Sequence, residues 1–146
     1  MKIGFVGSKG GMFFKQRESF EKLISYFRQQ YNDLVLLHGD NRGADELAHA
    51  YAQKVGIPIE IYATDSPRFR AFCEGAREVY GPYPLLSNNK EIVTNCSILI
   101  AAPARFNENE KSRVWSTLTN AKYQGKEVFL ISPRGTVWEH WSDDNS

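Results

Sequence analysis

Apolar positions in this chain alternate between two patterns. Unbroken runs occur at Ile3 to Val6, Val35 to Leu37, Ile57 to Tyr62, Ser97 to Ala102 and Val128 to Ile131. Runs this short suit strands buried on both faces, as in a parallel sheet. Between them, apolar residues recur every three or four positions. Phe20, Leu23, Ile24, Phe27 and Tyr31 form one such stripe, which predicts a helix from Gln16 to Tyr31. Ala44, Leu47, Ala48, Tyr51, Ala52 and Val55 form a second, stopped by Gly56. A short helix opens at Ser87-Asn88-Asn89 and runs to Asn95; another, capped by Ser112, buries Trp115, Leu118 and Ala121 and ends near Gly125. Strand and helix alternate, so the expected architecture is one α/β domain over residues 1–146, with a five-stranded, mainly parallel sheet covered by helices on both faces.

Three stretches fall outside this alternation. Thr64 to Pro84 interleaves Arg68, Arg70 and Arg77 with Phe69, Phe72, Tyr80 and Tyr83, and reads as an excursion over the strand ends, with Phe72 completing the core. Its arginines and aromatics either clamp an anionic, aromatic ligand or belong to a mixed helix. Ala104 to Lys111 is polar and reads as a surface connection. The tail from Thr136 to Ser146, holding Trp138 and Trp141, packs as a last helical turn or serves a subunit contact, so a homodimer stays open.

Composition narrows the function classes. The 146 residues are 42% hydrophobic and 24% charged, ordinary for a globular domain, and the formal net charge is only +1. Such a balance argues against nucleic acid as the principal partner and for a small ligand. Cys73 and Cys96 have no metal-like spacing, so neither a metal nor a disulfide is expected. The first strand begins beside Met1 and the longest apolar run is far too short for a bilayer, so a cytoplasmic protein with no membrane partner is the expectation.

Candidate chemistry lies in turns. Gly7-Ser8-Lys9-Gly10-Gly11 follows the first strand, His38-Gly39-Asp40-Asn41-Arg42-Gly43-Ala44-Asp45 the second, and Pro103 to Arg113 the fourth. In a parallel sheet all three open on one edge, where ligands of α/β folds sit and where helix N-termini attract anions. Lys9 is placed to meet a phosphate. Gly43 should lie where a side chain would block the ligand or strain the turn, Asp45 should cap N–H groups or accept a ribose hydroxyl, and Arg42 should pair with phosphate or with Asp40. No G-x-G-x-x-G, P-loop, G-x-S-x-G or H-E-x-x-H occurs, and His38, His49 and His140 are scattered in sequence.

V-G-S-K at the first turn, H-G-D-N-R-G-A-D at the second, N-N-K-E-I-V-T-N-C-S-I-L-I-A-A-P, and S-R-V-W followed by G-K-E-V-F-L-I, in that order, resemble the SLOG superfamily. That superfamily includes the DNA-processing protein DprA and the LOG phosphoribohydrolases. F-R-A-F-C-E-G-A is similar to its small stand-alone bacterial or phage-type members. The resemblance implies a Rossmann-like three-layer sandwich with strand order 3-2-1-4-5 and a nucleotide pocket on Gly7, Ser8, Gly39, Arg42, Gly43, Asp45, Asn89, Lys90 and the Ser112–Arg113 helix start. Where LOG enzymes carry an arginine this chain has Asn89, and where they carry a glutamate it has Thr117. Arg113 and Val114 stand in place of small residues, so an anion there would bind more weakly or would use the Arg113 side chain instead. The expectation is therefore a nucleotide-binding sensor or sequestering protein with no cofactor. The alternatives are a nucleoside-monophosphate phosphoribohydrolase using Asp40, Asp45 or an acid between Asn107 and Glu110, and DprA-like binding of single-stranded DNA along Arg68 to Arg77.

Overall fold

A computed structural model describes residues 1–106 and 112–139. Its elements are β1 (Lys2–Gly7), α1 (Phe14–Gln30), β2 (Val35–His38), α2 (Ala44–Val55), β3 (Ile59–Thr64), β4 (Glu78–Tyr83), α3 (Ser87–Asn95), β5 (Ile98–Ala102), α4 (Arg113–Tyr123), β6 (Glu127–Ile131) and β7 (Val137–Glu139). One sheet runs β4-β3-β2-β1-β5-β6-β7, parallel except for β7.

The five expected strands are β1, β2, β3, β5 and β6, and they neighbour one another as expected. The sheet has seven strands rather than five because each edge gains one. Val79 and Tyr80 of β4 are exposed, so β4 is held by its ladder to β3 and by stacking of Tyr80 and Tyr83 on Tyr62, with ring centres 4.8 and 6.4 Å apart. No buried run announces such a strand. In the tail, residues 137–139 are a strand antiparallel to β6 rather than a helical turn; Trp141 lies outside the described residues.

Side-chain alternation along the strands makes the three layers. Ile3 and Phe5, with Ile98 and Ile100, face α1 and α2, where they meet Phe20, Leu23, Ala44 and Ala48. Val6, Leu99 and Ala101 face α3 and α4, where they meet Ile92, Val93, Trp115 and Leu118. Gly4 belongs to this second side: a Cβ there would come within 2.7 Å of Ile92, so glycine lets α3 approach. From β1 the chain winds outward through β2, β3 and β4 on one side, then crosses back by α3 to β5, β6 and β7 on the other, and the site lies above that divide.

Candidate functional site

The turn after β2 is closed by its own groups. Gly43 has φ +99°, and a Cβ on it would stand 2.7 Å from the Ser8 carbonyl oxygen and closer still to that of Lys9. Its glycine is needed for the crossing of two loops, the strained-turn role expected of it. The Ala44 N–H donates to Ser8 O at 2.9 Å, which welds the first turn to the start of α2. Glu46 accepts the Gly43 N–H at 2.9 Å, so the cap role considered for Asp45 belongs to Glu46. Asp45 turns back instead: its Oδ2 accepts both the Asn41 N–H at 3.0 Å and the Asn41 side-chain amide at 3.2 Å. Burial raises the Asp45 carboxyl to about 7 against these hydrogen bonds.

Asp40 is the hub of a latch. It is buried in the left-handed region at φ 59°, which Asp tolerates better than most residues. Its carboxylate accepts the Cys73 N–H at 2.9 Å and pairs with Arg70 Nε at 3.3 Å, while its carbonyl accepts the Ala71 N–H at 2.8 Å. Arg42 adds a backbone N–H to Phe69 O at 2.7 Å. The expected Arg42–Asp40 pair is absent because Arg70 has taken Asp40; Arg42 is exposed and its Nε reaches Arg70 O at 3.4 Å. Residues 66–73 thus form a strap tied over the second turn. The tie puts Phe72 in the left-handed region, 63% exposed with the Arg70 guanidinium over its ring, so Phe72 is not core; Cys73 packs inward instead.

Beneath the strap lies a second closed system. His38 Nδ1 accepts the Asp40 N–H at 2.9 Å, so the proton of a neutral His38 is on Nε2, which donates to His49 Nδ1 at 2.8 Å. His49 Nε2 then donates to Glu74 O at 2.6 Å. The two histidines, scattered in sequence, form one directed chain. Burial and the neighbouring His49 lower the His38 ring to about 3. Cys73 Sγ lies within 4.8 Å of both rings, in a metal-like grouping. A metal on His38 Nε2 would require the proton on Nδ1, where it would oppose the Asp40 N–H, so this donor set does not fit one.

Next to these closed systems is a cleft of about 530 Å³. Gly7, Ser8 and Lys9 form one side, Asn41 and Asp45 the floor, Asn89 the start of α3, and Ser112 to Trp115 the opposite wall with Arg105. Of the twelve residues singled out in the sequence, the structure brings seven to this cleft: Gly7, Ser8, Lys9, Asp45, Asn89, Ser112 and Arg113. Gly39, Asp40, Arg42, Gly43 and Lys90 do not line it. Gly39 instead makes room for Asn88, whose amide a Cβ would meet at 2.7 Å, and Lys90 points to solvent.

Sequence reasoning missed Arg105 and Trp115 as lining residues and left Phe69 without a defined place. Phe69 gathers cations: Lys9 Nζ lies 5.8 Å, Arg68 Cζ 5.5 Å and Arg113 Cζ 4.8 Å from its ring centre. Ser112 caps α4 as expected, its hydroxyl accepting the Trp115 N–H at 3.2 Å. Thr117 is buried and its hydroxyl donates to Arg113 O at 2.7 Å. Of the excursion's other arginines, Arg70 is paired with Asp40 and Arg77 with Glu60 at 2.6 Å, which leaves no continuous basic groove along Arg68 to Arg77. The acids between Asn107 and Glu110, and His140, lie outside the described residues. No described helix is long and apolar enough to cross a membrane.

No protein-family model and no curated protein matches the chain. Solved structures do. DNA processing protein A (DprA) from Streptococcus pneumoniae is 26% identical with a TM-score of 0.69, over 97% of this chain and 53% of that one. The molybdenum cofactor binding protein from the phototrophic bacterium Rippkaea orientalis is 17% identical with a TM-score of 0.67, over 90% and 76%. The structural-genomics protein TM1055 is 13% identical with a TM-score of 0.64, over 87% and 71%. The three share this chain's fold, in keeping with the SLOG superfamily that its motif blocks resemble.

Proposed function

We propose that this protein binds a nucleotide or nucleotide-derived small molecule in the cleft above β1 and β5, as a sensor or sequestering protein. One observation carries the reading: a single cleft of about 530 Å³ combines the cations Lys9, Arg105 and Arg113 with aromatic surface from Phe69 and Trp115 and a polar floor of Asn41, Asp45 and Asn89. Its volume falls in the ordinary range for small-molecule sites, about 300–1,000 Å³. Cations suit phosphate, rings suit a base, and amides with a carboxyl suit ribose hydroxyls. A similar fold in a protein named for cofactor binding supports small-molecule binding here. Thermal-shift screening and calorimetry against AMP, ADP-ribose, NAD and cyclic nucleotides test it. Binding of at least one should raise the melting temperature in a concentration-dependent way. A flat response across the panel overturns the reading.

A second reading, hydrolysis of a nucleoside monophosphate to base and ribose phosphate, is favoured by Asp45. A carboxyl raised to about 7 on a cleft floor has the proton affinity a general acid or base needs at neutral pH. Incubation with nucleoside monophosphates and chromatography for free base separates the two readings. Release of base that disappears in Asp45→Asn supports turnover; none from the parent protein excludes it.

A further inference from the structure

Among the described residues that line the cleft, Arg113 is the cation with a buried nitrogen left unpaired. Its guanidinium lies over the Phe69 ring, 4.8 Å from the centre, and its Nη1 is buried without a hydrogen-bond partner among the described residues. A ring offers a cation an attractive face but no acceptor for its N–H groups. A buried guanidinium nitrogen without an acceptor costs free energy that an anionic oxygen would recover. The surroundings point the same way. Lys9 and Arg68 share the same ring, Arg105 lines the same wall, and the only acid lining the cleft among the described residues is Asp45, whose carboxyl burial keeps largely protonated below neutrality.

The start of α4 contributes less than a bare helix end would, since Ser112 already holds the Trp115 N–H at 3.2 Å. Phe69 itself owes its position to the strap, through the Arg42 N–H on its carbonyl and the Asp40 bonds to Arg70, Ala71 and Cys73. Ring and guanidinium come from segments more than forty residues apart, and each fixes the other.

We infer that Arg113, held against Phe69, is the specificity-determining residue that grips a phosphoryl group of the ligand, so that the cleft selects phosphorylated over unphosphorylated compounds by a side chain rather than by a glycine-rich helix start. This rests on the small-molecule reading of the cleft. Arginine is suited to it because its planar donor set stays charged, meets two phosphoryl oxygens at once and stacks on a ring, none of which lysine reproduces in full.

Calorimetry with AMP, adenosine and inorganic pyrophosphate tests the inference on the parent protein, Arg113→Ala, Arg113→Lys and, as a control on an exposed arginine elsewhere, Arg134→Ala. Melting curves establish that each variant is folded. The parent should bind AMP at least about 10-fold more tightly than adenosine, and Arg113→Ala should lose that preference while its affinity for adenosine stays within about two-fold. Arg113→Lys should recover only part of it, and Arg134→Ala should match the parent. A role confined to packing would weaken AMP and adenosine alike. If AMP or pyrophosphate binds the parent and Arg113→Ala binds it equally well, the inference fails while the nucleotide reading stands. If pyrophosphate binds through Arg113 but no nucleoside compound does, the inference stands and the nucleotide reading fails. If neither AMP nor pyrophosphate binds, the inference is overturned, and the wider panel decides the other.

Discussion

The turn after β2 and the wall formed by α4 face each other across one cleft, and they differ in how their charged groups are matched. On the first side each donor named has an acceptor: Asp40 N–H to His38, His38 to His49, His49 to Glu74, Asn41 to Asp45, Gly43 N–H to Glu46. On the other, a buried nitrogen of the cationic Arg113 has no partner among the described residues, whereas the unmatched buried atom of the turn is the neutral amide oxygen of Asn41. Paired groups hold a fold, whereas a buried charge without a counterpart costs more than a neutral amide oxygen. Under the proposed binding function the difference gives scaffold to one side and recognition to the other, although it is the scaffold side that carries the more conspicuous motif.

The largest effect should come from breaking the scaffold at Gly43. Gly43→Ala asks for a positive φ and pushes a Cβ against the carbonyls of Ser8 and Lys9, which belong to a second loop and cannot both withdraw. A loss of more than about 3 kcal/mol in urea unfolding, or failure to fold, is expected. Near-parent stability would show that the two loops are not rigidly welded.

How much of this was legible in the sequence follows from the same contrast. The five central strands and four helices are readable because burial on both faces or on one stripe leaves a periodic signature. Strand β4 has none, since its side chains are exposed and its pairing is a matter of backbone register. The glycine turns mark the sheet edge, and Gly39 and Gly43 make room there for Asn88 and for the first loop, which no local pattern announces. Arg105 was not readable as a site residue because nothing local distinguishes it, and Phe69 was legible only as one aromatic of a possible clamp; the end of β5 and a latch on Asp40 bring them in. His38 and His49 are eleven positions apart, and only the strand-turn-helix geometry puts their rings in contact.

A pH series sharpens the comparison next. His38 is lowered from 6.5 to about 3, so the unfolded chain binds its proton first; the group's stabilisation is complete above about 6.5 and is lost as the pH falls toward 3. Asp45 is raised from 3.8 to about 7, so the folded protein binds its proton first; its contribution is complete below 3.8 and is lost as the pH rises through 7. The two slopes oppose each other between 3.8 and 6.5. Asp45→Asn should therefore make acid destabilisation steeper than in the parent, by up to about 1.4 kcal/mol per pH unit in that window. Parallel stability curves for parent and variant would mean that Asp45 titrates as it does in the unfolded chain.

Asp40→Asn tests the latch with a smaller expected effect. Asparagine tolerates the left-handed backbone and keeps an acceptor for the Cys73 N–H, but it gives up the ion pair with Arg70, whose side chain is 22% exposed. About 1 kcal/mol of stability should be lost. Because the strap carries Phe69, affinity for any phosphorylated ligand of the parent should fall by a few-fold as well, without loss of selectivity for phosphate.

The smallest effect should be at Arg42, where sequence and structure part most clearly. At the tip of H-G-D-N-R-G the residue looks like a phosphate ligand, and its position beside Asp40 invites an ion pair. The structure gives Asp40 to Arg70 and turns Arg42 outward, with only a 3.4 Å bond from Nε to the Arg70 carbonyl. Its backbone N–H, which any residue but proline supplies, does the work of holding Phe69 O at 2.7 Å. Arg42→Ala should accordingly shift stability by less than about 0.5 kcal/mol, as exposed substitutions do, and leave ligand affinity within about two-fold. Arg42→Pro removes the N–H and should release the strap, with losses comparable to those of Asp40→Asn or larger. A 10-fold loss of affinity in Arg42→Ala with stability intact would mean that its guanidinium swings into the cleft once ligand is bound, and the scaffold side would then take part in recognition.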